Sequence, residues 1–500
     1  MFHFFLISIF FFLINCSFDN KTGIWKDASK VGTSTIKDIG SLEKNKKIYK
    51  KSNTITQAEY DIYCKGTFSK VKKKCRFKIS NDRLGEDRPI LEKVFTNNLV
   101  YELEKDIDLG KIIKLDKPED NPNYSQQFLA DTNNVSNNFY SNNNLLISKT
   151  SKVGKFNAEK VLPTVIYYNN KIISSDRKGN IYSFSLENNK QLWKFNFYKK
   201  AFKKFKKEIY FIIRDNKLFV ADNLGYLYAI NFEDGSLIWA KNYGIPFRSN
   251  VKFANNDIYL ANIDNTIYSI NSNSGEQNWQ FSTSPTFLKT NFKNNIAIDE
   301  LNKSLVFLNT SGELYSINYV NRQINWVLNF NSYSTPGDVN IFLSKPIVIK
   351  DKTVLVSTKT SLLGYDTLTG ARKWAKPLAP KLKPVINNNN VFLFSKKNLL
   401  ICLEVNTGEI LWSKNIYNQI RDKKLLKKKK KKIGNINNIV IAGDKINLFS
   451  SEGYLFSFNF FNGKIKNYKK ISQKGIVAEP LFVNNHMFII DKSNKLLKFN

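Results

Sequence analysis

One pattern of apolar and polar positions repeats over the C-terminal two thirds of the chain. Residues 225–239 show it clearly: an alternating stretch, a turn at Asp234-Gly235, and a second stretch that ends in Trp239. Alternation with a period of two predicts β-strands, and an Asp-Gly pair supplies the positive φ that a tight hairpin needs. The repeat is therefore predicted to be built from short antiparallel strands.

Six of the seven tryptophans occupy the same position in this repeat: Trp193, Trp239, Trp279, Trp326, Trp374 and Trp412. In four copies a glycine stands four residues before the tryptophan: Gly235, Gly275, Gly370 and Gly408. Successive tryptophans are 46, 40, 47, 48 and 38 residues apart, a spacing typical of a four-stranded propeller blade. We interpret the tryptophans as structural, because one large ring in each outer strand would fill the gap between neighbouring blades.

The repeats predict an all-β fold, an eight-bladed β-propeller of four-stranded antiparallel blades over residues 142–500. In the first blade, strands are expected at residues 164–168, 171–175, 180–186 and 191–197. A seventh copy has Asn467-Tyr468 in place of the tryptophan, and residues 479–499 supply only three strands of an eighth blade. The stretch at residues 144–150 is a strand without a blade, so we expect it to complete the eighth and close the ring.

The first 15 residues are predicted to be a signal peptide, since about 11 apolar residues suit its core but are too few to span a bilayer. Leu13-Ile14-Asn15-Cys16 resembles the bacterial lipoprotein box, which implies lipidation of Cys16. Residues 16–141 are then expected to be a lipidated, partly disordered tether, with an Asn/Ser-rich flexible tract at residues 133–144.

The other cysteines offer little chemistry. Cys64 and Cys75 form a possible disulfide in an oxidising compartment, although their spacing alone does not establish it. Cys402 lies in an apolar strand and is expected to be core. With only two histidines in the chain, zinc binding and thiol catalysis are not expected.

Charge leaves two interpretations open. The chain has 77 Lys and Arg against 42 Asp and Glu, a net charge of +35, which could serve binding to nucleic acid or to an anionic membrane. The lysines are scattered among the strands, however, as a general drift in composition would produce. The run from Lys423 to Lys432 is either a solvated loop or a contact for lipid phosphates.

The frame Gly-x-Leu-Tyr-Ala-Ile, followed by Asp-Gly and Trp239, resembles the repeat of quinoprotein-type (PQQ-like) propellers. That family includes quinone- and calcium-binding periplasmic dehydrogenases and the BamB family of outer-membrane assembly lipoproteins. The dehydrogenases typically carry an adjacent Cys-Cys pair, which this sequence lacks. With its lipoprotein-like start and eight predicted blades, the chain resembles the BamB family over residues 142–500.

Two loops add to this resemblance. BamB proteins meet the barrel-insertase subunit through an apolar-x-apolar-Arg turn and an Asp-x-Asp sequence two inter-blade loops later. Ile245, Phe247 and Arg248 match the first motif, and Asp338 matches the second, in which Asn340 replaces the other carboxylate. The resemblance thus implies a partner-binding site in which Arg248 faces Asp338 as a charge-assisted pair.

The resulting expectation is a non-catalytic scaffold without a cofactor, anchored by its lipid to the periplasmic face of the outer membrane. Its expected partners are the barrel-insertase subunit of the β-barrel assembly machinery and nascent outer-membrane proteins, with no nucleic acid. Two alternatives stay open: a PQQ-dependent dehydrogenase-like propeller and a polyanion-binding propeller.

Overall fold

The computed structural model describes residues 101–154, 164–199, 202, 204–285, 293–330, 342–420 and 432–500, and the backbone of four short strands nearer the N-terminus. The chain divides into two units, residues 1–93 and 94–500. In the first unit, β1 (Cys16–Asp19) pairs antiparallel with β2 (Ile24–Asp27), and β3 (Thr54–Ile55) pairs parallel with β4 (Lys78–Ile79). No helix in the described segments is long and apolar enough to cross a bilayer.

The second unit is the predicted eight-bladed propeller, and every blade is a four-stranded antiparallel sheet. Blades one to three are β6 (Val165–Tyr168), β7 (Lys171–Ser175), β8 (Asn180–Ser185), β9 (Lys190–Asn196); β10 (Ile209–Arg214), β11 (Lys217–Asp222), β12 (Tyr226–Asn231), β13 (Leu237–Asn242); and β14 (Lys252–Ala254), β15 (Asp257–Ala261), β16 (Thr266–Asn271), β17 (Gln277–Ser282). Blades four and five are β18 (Asn295–Asp299), β19 (Ser304–Leu308), β20 (Glu313–Asn318), β21 (Ile324–Asn329); and β22 (Val348–Lys350), β23 (Thr353–Ser357), β24 (Leu362–Asp366), β25 (Arg372–Lys376).

Blades six and seven are β26 (Val385–Asn387), β27 (Asn390–Phe394), β28 (Leu399–Glu404), β29 (Ile410–Asn415); and β30 (Ile436–Ala442), β31 (Lys445–Ser450), β32 (Tyr454–Asn459), β33 (Ile465–Lys470). Blade eight combines β34 (Leu481–Val483), β35 (His486–Ile490) and β36 (Lys495–Phe499) with β5 (Leu146–Lys152) from the other end of the unit. The predicted closing strand is therefore confirmed, within two residues of its expected bounds. It gives the last blade its fourth strand and the ring its closure.

The order of strands within a blade follows from how deeply each is buried. The first strands of successive blades contact one another and surround the axis of the ring. Their apolar residues are buried, whereas every residue of the fourth strands β9, β13 and β17 is exposed or half-buried. This gradient accounts for the continuous apolar runs of the inner strands and the alternation of the outer ones.

A tryptophan of one blade and a glycine of the next form the contact that joins neighbouring blades. The indole Nε1 of Trp193 donates to the carbonyl of Phe232 in the next blade (3.1 Å), and Trp374 donates to Val405 O (2.8 Å). The same bond is made by Trp239, Trp326 and Trp412. A Cβ built on Gly235 would lie 2.7 Å from the Trp193 ring, so the ring covers a glycine surface that no side chain could share.

The copies that depart from the pattern have visible substitutes. Arg322 takes the glycine position of the fourth blade with φ 66°, and Asn189 takes it in the first with φ 51°. The Asn189 side chain accepts a hydrogen bond from Ser151 N of the closing strand (3.0 Å). In blade seven Asn467 lies opposite Ser457 in the sheet. Asn467 thus takes the position of the tryptophan, because Trp193 lies opposite Ser183 in the same way in blade one.

We predict that Gly235→Ala lowers the free energy of unfolding by roughly 1–3 kcal/mol more than Gly244→Ala does. Both glycines have φ +75°, so the backbone strain added by a Cβ is matched. Only at Gly235 does the new methyl meet a tryptophan, because nothing lies within 4 Å of the corresponding position at Gly244. Urea unfolding of the two variants measures the difference, and equal losses would contradict the proposed role of the contact.

Candidate protein-binding loop and the axial channel

The loop carrying Ile245, Phe247 and Arg248 connects β13 of blade two to β14 of blade three. It therefore lies on the side of the ring where inter-blade connections run, which we call the loop face. Gly225 of blade two has φ +89°, and a Cβ there would lie 3.0 Å from the backbone N and O of Ile245. The loop is thus pressed against a glycine, and Tyr243 N donates to Gly225 O (2.8 Å) to hold it there.

Phe247 anchors this loop from inside the ring. Its side chain is 0% exposed, and its ring packs edge-on against Tyr243 (centroids 5.5 Å apart) and Tyr268 (6.0 Å). Its backbone N donates to Asp222 O (3.1 Å). We expected Phe247 itself to contact a partner, but its side chain is fully buried. It packs in the core between blades two and three.

Arg248 follows the buried Phe247 and is itself half-buried. Its backbone is fixed on both sides: Arg248 N donates to Ala261 O and Asn294 N donates to Arg248 O, both at 2.8 Å. Its charge lies near the hydroxyl of Tyr210. Burial and the charge of Glu208 raise the pKa of Tyr210, and the positive charge of Arg248 acts in the opposite direction. Together with the half-buried Ile245, Arg248 gives this loop one apolar and one cationic group within reach of solvent.

The remaining predicted site residues lie outside the described side chains. Asp338 and Asn340 fall between Phe330 and Phe342, and Cys64 and Cys75 fall in the first unit. Cys16 opens β1, of which only the backbone is described. Cys402 is a buried free cysteine whose thiol pKa is raised by burial, as expected for a core residue.

A segment that we did not predict from the sequence crosses the axis of the propeller at the end opposite the loop face. Residues 121–142, which we call the axial strap, follow the ends of the innermost strands. Tyr124 exchanges two backbone hydrogen bonds with Tyr167 of β6 (2.7 and 3.1 Å), and Ile213 of β10 donates to Ser125 O (2.9 Å). The other contacts continue in ring order: Ala130 with Lys252 of blade three, Asp131 with Ile298 of blade four, Thr132 with Ile349 of blade five, Asn134 with Ile386 of blade six, Asn138 with Ile441 of blade seven, and Ser141 with Asn485 of blade eight.

Asparagine amides attach the strap to the blades. Asn133 is 1% exposed, and its Nδ2 donates to Ile296 O (2.9 Å) and Ile347 O (3.0 Å) of two adjacent blades. Asn134 both donates to Ile386 O and accepts from Ile386 N. The tract at residues 133–144, expected from composition to be flexible, is therefore packed in the structure, because its amides complete the hydrogen bonds that the ends of the inner strands leave open.

Charged side chains point into the channel and hold the strap. Lys252 is 0% exposed, and its Nζ donates to Ala130 O (2.9 Å) and Gln126 Oε1 (3.3 Å). Burial lowers the pKa of Lys252 to about 8, an effect that the charge of Asp131 opposes. Asp131 in turn accepts a hydrogen bond from Arg214 Nη2 (2.9 Å). The strap thus supplies a carboxylate that balances the positive charges of Lys252 and Arg214.

Glu479 and Lys383 form the second group of charges. Lys383 Nζ donates to Asn133 O (2.7 Å), and burial lowers the pKa of Lys383 to about 8. Burial raises the pKa of Glu479 to about 7, while Lys383 and a hydrogen bond from Tyr124 act in the opposite direction. The cavity that these three residues line has a volume of about 10 Å³, enough for about one water molecule.

Residues preceding the strap run across the outside of blade six. Lys105 and Ser413 of β29 exchange two backbone hydrogen bonds of 2.9 Å, which adds a fifth chain to the edge of that blade. Lys414 donates to Asp106 (2.6 Å), and farther in, Asp116 pairs with Lys350 of blade five. The second unit therefore includes a segment that the sequence analysis placed in the tether.

The family model described as "Outer membrane protein assembly factor BamB" matches residues 177–414, and no curated protein sequence matches the chain. Over residues 177–414 the chain is therefore similar to the BamB family of PQQ-like repeats. The solved structure of BamB from Moraxella catarrhalis is similar with a TM-score of 0.54 at 15% identity, over 71% of this chain and 100% of that one.

Quinone-dependent enzymes share the fold of this propeller. The quinohemoprotein alcohol dehydrogenase from Comamonas testosteroni has a TM-score of 0.53 at 11% identity, covering 76% of this chain and 80% of that one. A europium-containing methanol dehydrogenase has a TM-score of 0.53 at 10% identity, covering 74% and 89%. At these identities the structural likeness establishes the propeller fold alone. In the described part of the chain, no group of three or more His, Cys, Asp or Glu side chains is placed to hold a metal ion.

We predict that Asn133→Ala lowers the free energy of unfolding by about 1–3 kcal/mol more than Asn255→Ala. Both asparagines have positive φ, 58° and 49°, so alanine adds similar backbone strain at each site. Asn255 lies in an exposed turn, whereas removal of the Asn133 amide leaves two buried carbonyls without a donor. Equal losses in urea unfolding would show that the amide does not hold the strap.

A pH dependence should follow from Glu479. Because its folded pKa is raised from 4.5 to about 7, its contribution to stability is fully present below 4.5 and is lost as the pH rises through 7. The free energy of unfolding of the native protein, relative to Glu479→Gln, should therefore fall over this interval by roughly 3 kcal/mol at most. Denaturant unfolding at several pH values measures it. The exposed Glu300→Gln variant is the control for removing a carboxylate at the surface.

Proposed function

We propose that the chain is a non-catalytic scaffold lipoprotein of the outer-membrane β-barrel assembly machinery. It would bind the barrel-insertase subunit and assist the folding and insertion of nascent outer-membrane proteins. The match of residues 177–414 to the BamB family model carries this proposal. The propeller supports it as a platform, because its loop face presents many short connections on a rigid ring.

The proposed contact with the insertase is the loop after β13. Arg248 supplies a cation and Ile245 an apolar surface, while buried Phe247 holds both in place. Asp338 and Asn340 stay part of the proposed site, as the acidic and amide groups two inter-blade loops later in the sequence. Arginine at the centre of a rigid patch is a frequent source of binding energy in protein interfaces.

The axial strap favours a scaffold over a quinone-dependent enzyme. Its residues and the lysines that reach them occupy the end of the channel with protein groups that hydrogen-bond to one another. A large planar cofactor at that end would have to displace a segment attached to all eight blades. The strap therefore supports a role in which binding takes place on the surface of the ring.

The membrane attachment completes the proposal. Residues 1–15 would be removed as a signal peptide, and Cys16 would carry the lipid that holds the protein on the periplasmic face of the outer membrane. Cys64 and Cys75 could then form a disulfide, since the periplasm is oxidising. Neither a cofactor nor nucleic acid has a part in this function.

We predict that Arg248→Ala and Asp338→Ala each weaken co-purification with the insertase by roughly tenfold or more, as loss of a central interface residue does. The measurement is the amount of insertase recovered with the tagged lipoprotein from detergent-solubilised membranes. Arg372→Ala is the matched control, because Arg372 is an exposed arginine on the outer strand of blade five, away from the loop.

The control should retain the insertase, and all three variants should keep the circular dichroism of the native ring. Undiminished recovery with both loop variants would remove Arg248 and Asp338 from the interface. Loss with Arg372→Ala as well would indicate a general effect of surface charge.

A further inference from the structure

Three lysines meet on the loop face between blades five and six. Lys345 precedes β22, Lys381 precedes β26, and Lys396 lies in the turn between β27 and β28. Backbone bonds fix their positions: Lys381 N donates to Phe394 O (2.7 Å) and Lys396 N to Ala379 O (3.2 Å). Lys396 Nζ reaches across the blade boundary to Lys359 O (2.6 Å), which ties this cluster to the neighbouring blade.

The cluster lacks carboxylates. Lys345 N donates to Ser357 O (3.1 Å), beside the turn at Lys359 that Lys396 reaches, so these lysines lie close together. Consistent with this, burial and then the charges of Lys396 and Lys381 lower the pKa of Lys345. No Asp or Glu of the described segments forms an ion pair with any of the three. Lysines beside them do have such partners, since Lys397 lies 3.1 Å from Glu102 and Lys492 lies 2.6 Å from Glu452.

A polar groove continues from this cluster towards blade seven. Its volume is about 360 Å³, and it is lined by Lys381, Asn398, Tyr417, Gly434, Asn435, Ser451 and Glu452. The loop face thus has an excess of positive charge beside a groove rich in amide and hydroxyl groups.

We propose that this lysine groove binds an acidic polypeptide segment. Carboxylates of such a segment would neutralise the three lysines, and the groove amides would match the N–H and C=O groups of its backbone. A flat membrane surface fits less well, because Lys345 and Lys381 are half-buried and a flat surface would not reach them as an extended chain in the groove would. The site is distinct from the insertase loop at blades two and three and goes beyond the function proposed above.

The test uses the full chain and a fluorescent Glu-rich peptide, with the matching Gln-rich peptide as the neutral probe. One variant replaces Lys345, Lys381 and Lys396 with Gln. A control variant replaces Lys190, Lys303 and Lys464 with Gln; these lysines lie in or beside turns at the opposite end of the ring, so the change in net charge is the same. Fluorescence anisotropy gives the affinity at low and high salt, and circular dichroism verifies that both variants are folded.

We expect the acidic peptide to bind the native chain with an affinity that falls with salt, and the Gln-rich peptide to bind far more weakly. The groove variant should bind the acidic peptide about tenfold more weakly, the sum of three modest charge contacts. The control variant should bind as the native chain does.

Equal weakening in both variants would overturn the proposal, because it would reduce the effect to net charge. So would binding of phosphatidylglycerol vesicles or of a DNA duplex that depends on the same three lysines while the acidic peptide fails to bind. Since the assay contains no insertase, its outcome is independent of the co-purification experiment.

Discussion

Five tryptophans hold successive blades together through one repeated contact. Each donates its indole N–H across the blade boundary and lays its ring over a glycine of the next blade, as Trp193 does over Gly235. At these five boundaries a single contact thus combines a hydrogen bond with apolar burial at the edge of the sheet, where the outer strand would otherwise be open. The rigidity of the loop face depends on it, because each inter-blade loop starts from one blade and ends on the next.

Much of the fold could be predicted because the information lies in local repetition. The period of Trp193 and its equivalents gave the blade length, and the missing fourth strand after Lys495 pointed to the strand at Leu146. The glycines were interpreted only as turn residues. Their second role, as the surface on which the preceding tryptophan lies, involves residues about forty positions apart and cannot be read from the hairpin alone.

The axial strap was missed for a physical reason. Its hydrogen bonds are made by asparagine amides, and a run of asparagines has the composition of a solvated linker. What distinguishes Asn133 is the pair of carbonyls that the ring places opposite it, and those carbonyls exist only once the blades are assembled. In the candidate binding loop the motif named Phe247 together with Arg248, but it could not show that Phe247 turns inward between Tyr243 and Tyr268.

The closing strand also sets the order in which the chain can fold. Residues 101–152 lie ahead of β6 in sequence, yet their partners include Ile410, Asn485 and Leu496, which follow them by 305, 344 and 346 positions. Until the last blade is synthesised, β5 has no sheet to join and the strap has no ring to cross. Such non-local pairing is slow to form and leaves the edges of β36 and β5 without their hydrogen-bond partners meanwhile. Ring closure is therefore expected to be the late, rate-limiting step, during which the chain is most in need of protection from aggregation.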